Sequence, residues 1–237
     1  MLFLHETHSV VGYEEDAFEA AFRDGWMPKL AENDDARLLW YTNHAHGSGA
    51  SYRVVTITAV RDGAAWETLA RRVQHGDLQV WARETDRLRH DARGKVLVPL
   101  PWSPLRDLDL ATVPTGGGEH EPTVYMEDTM WPFEGRYAEY VEAAGSFYAR
   151  TLGEARAADD PRFLEIHGAF QPAFGSHQRR EVVLLQRVLD PDRLLGLLTT
   201  DIPPAMRAPG TWMHEALQLR DQWESRLLRT SVWSPLS

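Results

Sequence analysis

The tetrapeptide Trp-Ser-Pro-Leu occurs twice in this chain, at positions 102–105 and 233–236, a spacing of 131 residues. At the same spacing Trp81, Glu84, Leu88 and Arg89 match Trp212, Glu215, Leu219 and Arg220. Upstream, Val54-Val55, Val60 and Asp62 match Val182-Val183, Val188 and Asp190 at a spacing of 128. Arg37 and Leu39 match Arg162 and Leu164 at 125, and Glu6 matches Glu127 at 121. The offset grows in one direction, as short loop insertions in one copy would produce. The 237 residues therefore read as two copies of one unit, residues 1–105 and 123–237, each near the size at which a chain buries its own core. Residues 106–122 join them. They hold Thr115-Gly116-Gly117-Gly118 and two prolines, the composition of a flexible connection. That glycine run lacks the strand, lysine and helix of a phosphate loop.

Each copy has the same order of patterns. In the first, residues 2–10 alternate as a strand, and Phe18, Phe22 and Trp26 mark an apolar helical face. Strands over 37–46 and 51–61 flank a Gly47-Ser48-Gly49-Ala50 hairpin loop. Trp66, Leu69, Val73, Val80, Trp81 and Leu88 carry a helical pattern, and 95–100 is a closing strand. In the second, 123–131 is a strand, and Tyr137, Tyr140, Val141, Ala144, Phe147 and Tyr148 form a helical stripe. Strands over 162–170 and 181–189 follow, around the loop 171–180. A helix begins at 194–198, is broken by Pro203-Pro204 and Pro209-Gly210, and resumes over 212–226 before a closing strand at 227–233. The fold class read from this is α+β, a tandem duplication of a ferredoxin-like βαββαβ unit forming an α/β barrel. Helices cover one sheet face of such a unit. The other face needs a second sheet, which the second copy supplies.

Composition removes several functions. A net charge of −10 disfavours nucleic acid and anionic membrane surfaces, which both require concentrated positive charge. The chain has no cysteine, so disulfides, thiolate zinc sites and a cysteine nucleophile are absent. The N-terminal Met-Leu-Phe-Leu-His-Glu lacks the basic region of a signal peptide. No apolar run reaches the length of a membrane span. A cytoplasmic protein with a small-molecule substrate is expected. Neither a Gly-x-Ser-x-Gly elbow nor a dinucleotide fingerprint occurs.

The order of elements and the repeat resemble the dimeric α/β-barrel superfamily, which includes NIPSNAP proteins, antibiotic-biosynthesis monooxygenases, polyketide cyclases and the chlorite dismutase group. The NIPSNAP-like branch looks nearest. Phe3-Leu4-His5-Glu6-Thr7-His8 stands where that branch carries a Tyr-Glu-Leu-Arg-Thr-Tyr pattern, keeping the threonine but not the arginine. Leu38-Leu39-Trp40-Tyr41 stands where the branch runs into Gly-Phe-Trp. The resemblance implies small-molecule binding, a role in secondary metabolism and further pairing into a homo-oligomer.

Strand alternation then selects candidate site residues. Leu4, Glu6 and His8 share one face of the first strand, and Tyr125, Glu127 and Thr129 are matched to them. Trp40, Thr42 and His44 share a face, matched to Glu165, His167 and Ala169. If these faces meet, Glu6, His8, Glu127 and His167 are candidate proton-transfer residues, and Trp40, His44, Tyr125 and Glu165 would hold the substrate. Carboxylates and imidazoles in a sheet interface must be paired or must line a cavity.

His5-Glu6-Thr7-His8 is one residue short of the zinc-helix spacing, and a strand points its two histidines apart; His44-x-His46 is the better metal pair. No cofactor is assigned, and heme or a divalent metal stays open. The heme-binding branch of the resembling superfamily takes an axial histidine from the second copy's helical layer, where His214 stands. The expected activity is a cofactor-independent cyclase, isomerase or monooxygenase-like reaction on an apolar aromatic or polyketide-like molecule, by Glu/His acid–base chemistry. A non-catalytic small-molecule-binding protein or a heme protein of the chlorite dismutase type is the alternative.

Overall fold

The computed structural model describes residues 1–153, 163–174 and 179–237. Arg162 and the middle of the 171–180 loop lie outside the described residues. In chain order the elements are β1 (Leu2–Val10), α1 (Glu15–Ala20), α2 (Met27–Leu30), β2 (Ala36–His44), β3 (Arg53–Val60), α3 (Gly63–His75), α4 (Gln79–Arg87) and β4 (Arg89–Pro99). There follow β5 (Val124–Trp131), α5 (Tyr137–Ala143), α6 (Arg150–Gly153), β6 (Leu164–Pro172), β7 (Val182–Val188), α7 (Pro191–Thr199), α8 (Trp212–Glu215) and β8 (Gln222–Thr230). Paired strands follow the order β1-β3-β2-β8-β5-β7-β6-β4, which closes on itself. The fold is α+β, a duplicated ferredoxin-like unit. Among the described residues no helix is long and apolar enough to cross a membrane.

The repeat is visible in local devices. A π-helical segment extends the first helix of each copy, at Ala21–Trp26 and Ala144–Ala149. Asp62 caps α3 by accepting from Ala65 N, and Asp190 caps α7 by accepting from Asp192 N and Arg193 N. Their match in sequence is thus a match of helix starts, since a carboxylate satisfies amides left open at an N-terminus. Both copies also carry an extra residue in their second strand. Pairing shifts between Leu38 and Trp40 in β2 and between Ile166 and Gly168 in β6, making Leu39 and His167 the bulged residues.

Two compact units divide the chain. Residues 1–98, 107–124 and 227–237 form unit 1; residues 99–106 and 125–226 form unit 2. In unit 1, Phe18, Phe22, Trp26, Leu38, Tyr41, Val54 and Val60 make the core between helices and sheet. The 106–122 connection is anchored there rather than loose: Leu110 and Val113 are buried, and Gly117 lies so near Trp233 that a Cβ would stand 3.0 Å from Trp233 Cβ. In unit 2, Met130, Tyr140, Ala144, Ala169, Val182 and Leu184 play the same part.

Three sequence expectations are corrected. The long helical pattern of residues 66–88 is two helices, α3 and α4, separated at Gly76. The helix expected over 212–226 stops after α8 and a 3-10 turn at Ala216–Gln218, and β8 begins at Gln222. β4 likewise begins at Arg89, six residues earlier than its apolar stretch suggested. In β4 and β8 the first half is largely exposed and polar, so periodicity could not announce a strand there.

Candidate active site

Strand pairing gives the facing of every candidate. In unit 1, Glu6 pairs with Thr56 and His8 with Val54, on the side covered by helices. His8 lies 5.1 Å from the Phe18 ring and 5.5 Å from Phe22. The expected common face for Glu6, His8 and Trp40 is therefore corrected. Trp40 pairs with Ile57, which pairs with His5, so Trp40 shares the opposite face with His5. His44 follows Trp40 on that face, pairing with Leu228.

The error was one residue of register, which reverses every side chain. Val54-Val55 and Val182-Val183 are equivalent, so Thr56 corresponds to Leu184. Glu6 pairs with Thr56 and Asp128 with Leu184. Glu6 thus corresponds to Asp128, not to Glu127, and Phe3 corresponds to Tyr125.

Both of these acids sit under helices, each near an arginine of the repeat. Burial pushes the Glu6 carboxyl up, with Arg89 opposing and Asp86 adding to the rise. Burial also pushes Asp128 up, against hydrogen bonds from Ser225 and Gln186 and the charge of Arg220. Gln186 Nε2 donates to Asp128 at 2.9 Å, and Tyr148 OH donates to Gln186 Oε1 at 2.5 Å. Arg89 donates to His8 Nδ1 at 2.8 Å. Since guanidinium only donates, Nδ1 must accept, and Nε2–H donates to Thr56 Oγ1 at 3.1 Å. Burial first, then the charges of Arg89 and His5, push the His8 imidazole down to about 3. His8 thus lies buried on the helix-covered face, held by Arg89 and Thr56, apart from the other candidates.

Unit 2 brings four sequence candidates together. Tyr125 and Glu165 both pair with Arg187, one on each side of β7. The row Tyr125–Arg187–Glu165 therefore runs across three strands on the face turned away from the helices. His167 joins it through the bulge: His167 and Gly168 stand where one residue would oppose Leu185. Gly168 offers no side chain there, and a Cβ would lie 2.5 Å from the Phe170 ring. His167 Nδ1 accepts from Tyr125 OH at 3.0 Å, and its Nε2 meets Glu165 Oε2 at 3.0 Å. A carboxylate only accepts, so Nε2 carries the proton and Nδ1 the lone pair. Tyr125 is fully buried, while the His167 and Glu165 side chains are 23% and 47% exposed. The three form a hydrogen-bonded chain from the interior to the surface. Glu127 is buried on the same face and accepts from Arg226 Nε at 2.9 Å, so it serves as an ion-pair partner.

The equivalent positions in unit 1 carry no such chemistry. Phe3 and Arg37 both pair with Ala59, making the row Phe3–Ala59–Arg37, with Leu39 at the bulge. Arg37 is spent on the carbonyls of Leu30 and Ala36 and on Asp34. One backbone frame thus holds Phe3, Ala59 and an arginine tied to its own turn in one copy, and Tyr125, Arg187 and Glu165 in the other. Sequence reasoning missed Arg187, Arg226 and Asp128; a repeat offset of 122 in the first strand would have found Asp128. Among the described residues no group of three His, Asp or Glu side chains could hold a metal ion. A groove of about 180 Å³ beside Phe163, Leu197 and Met206 lies apart from that hydrogen-bonded chain.

Solved structures with this architecture exist. A proposed monooxygenase from Lactobacillus acidophilus NCFM superposes with a TM-score of 0.63 at 7% identity, over 99% of this chain and 96% of that one. One from Fusobacterium nucleatum gives 0.62 at 8%, over 97% and 91%. An anthrone oxidase-like protein gives 0.58 at 10%, again over 97% and 91%. The chain shares the fold of these structures. At these identities the α/β-barrel likeness speaks for fold alone. No protein-family model and no curated protein matches the chain.

Proposed function

We propose that this protein is an enzyme that moves a proton on an apolar aromatic small molecule, with Tyr125, His167 and Glu165 as the relay. The observation that carries the proposal is the pair of 3.0 Å hydrogen bonds through His167. Substrate entry must uncover the Tyr125 oxygen, which is buried here; as that oxygen takes a proton from substrate carbon, its own proton passes to His167 Nδ1. The resulting imidazolium is flanked by the Glu165 carboxylate, which stabilises the charge and fixes the ring. Phe170, Leu185 and Val183, buried on the same face, give it the apolar character that a flat ring system would need.

The names of the superposable structures suggest the type of substrate. In anthrone, the methylene between two aryl rings is acidic, and its carbanion is electron-rich enough to reduce dioxygen directly. Anthrone and one O2 give anthraquinone and one water, without a further reductant. Anthrone itself is the probe. Its conversion, followed by anthraquinone absorbance, should exceed the spontaneous rate with wild-type protein. It should fall about 100-fold or more in H167Q and Y125F, with melting temperatures retained. Equal rates in wild type and H167Q would end the proposal.

A further inference from the structure

Arg187 is the middle residue of the row, paired with Tyr125 on one side and Glu165 on the other. It is half-buried. Cross-strand neighbours have Cβ atoms about 5 Å apart, yet Glu165 turns away from it to His167. Among the described residues the Arg187 guanidinium makes no hydrogen bond or ion pair. With no anion beside it among the described residues, this partly exposed guanidinium is open to an anion from solution. Elsewhere on this face the cation is satisfied, as Arg226 is by Glu127. The equivalent residue of the other copy is Ala59, so the fold does not require an arginine here.

We infer that Arg187 binds an anionic oxygen of the molecule this site takes, a carboxylate or an ionised phenol or enol on an aromatic body. The inference rests on the relay reading. Its planar fork can hold such an oxygen bidentately. The place is beside Tyr125, the cross-strand neighbour of Arg187, where negative charge would develop on the substrate when a proton is removed. Arg187 would then both select acidic aromatics and stabilise the anion that the relay forms.

The test uses two fluorescent probes with one ring system, anthracene-9-carboxylate and the neutral anthracene-9-methanol. Wild-type protein should prefer the carboxylate by about tenfold or more, the usual size of a charge-assisted hydrogen bond. R187Q should bind both probes alike, with alcohol affinity unchanged, and R187M should repeat this with the aliphatic stem kept. R187K should recover part of the preference. Equal affinity of wild type for the two probes, or full carboxylate preference in both R187Q and R187M, would overturn the inference. H167Q separates the two readings. If it keeps carboxylate binding but converts anthrone like wild type, the relay fails while the anion site stands.

Discussion

Trp233 donates its indole N–H to Glu19 Oε1 at 2.5 Å, joining residues 214 apart in sequence. Trp102, its repeat partner, donates to Val141 O at 2.9 Å. The serines behave alike: Tyr41 N donates to Ser234 Oγ, and Ala169 N to Ser103 Oγ, both at 3.1 Å. Each Trp-Ser-Pro-Leu segment therefore clasps the first helix and second strand of the unit built mainly from the other copy. Its recurrence is explained by this exchange, because the same two elements must be tied in both units.

Removing a clasp should destabilise its unit. W233A deletes a buried indole that also packs 5.0 Å from the Tyr41 ring, and should cost about 3–5 kcal/mol. W102A, whose indole is less buried, should cost less. S234A should cost about 1 kcal/mol. Urea unfolding of the variants measures these losses; unchanged stability of W233A would contradict the clasp.

Acid should weaken the fold through His8. Its imidazole is held near 3, whereas in the unfolded chain it titrates near its ordinary value of about 6.5. Between those values the unfolded state binds the extra proton. This contribution is therefore complete above about pH 6.5 and is lost on acidification, at up to about 1.4 kcal/mol per pH unit. Glu6 acts in the opposite sense, since a raised carboxyl favours the fold at low pH and loses that contribution as pH rises. Urea unfolding between pH 7 and 4 should show the advantage of wild type over H8Q shrinking with acidity. Parallel curves would contradict it.

Glu127 and Arg226 should matter as a pair. Breaking a buried ion pair from one side costs about 3–5 kcal/mol, because a charge is left unpaired. E127L should show such a loss, and E127L/R226M should recover most of it. A double variant as unstable as the single would mean that Glu127 has another essential partner.

The fold was legible because the repeat survives at helix starts, core tryptophans and paired valines. Asp62 with Asp190 and Trp81 with Trp212 each mark an element that must recur. The site was half legible. Tyr125, Glu127, Glu165 and His167 share one face as alternation required, but Glu6 and His8 were reversed by one residue. Identity between Glu6 and Glu127 suggested a spacing of 121, while strand pairing gives 122. The bulge at His167 was also hidden, since an extra residue in a strand leaves no mark in hydrophobic alternation. Arg187 escaped notice because an isolated arginine in an apolar strand reads as an edge or rim residue until its neighbours are known.

The central claim is that His167 and Tyr125 carry a substrate proton. Anaerobic exchange of the anthrone methylene hydrogens into D2O, followed by proton NMR, isolates that step from oxygen chemistry. Wild-type protein should accelerate exchange above the buffer rate, and H167Q should lose about 100-fold or more of the acceleration. Exchange at the buffer rate with wild type, or equal acceleration by a folded H167Q, would contradict the relay.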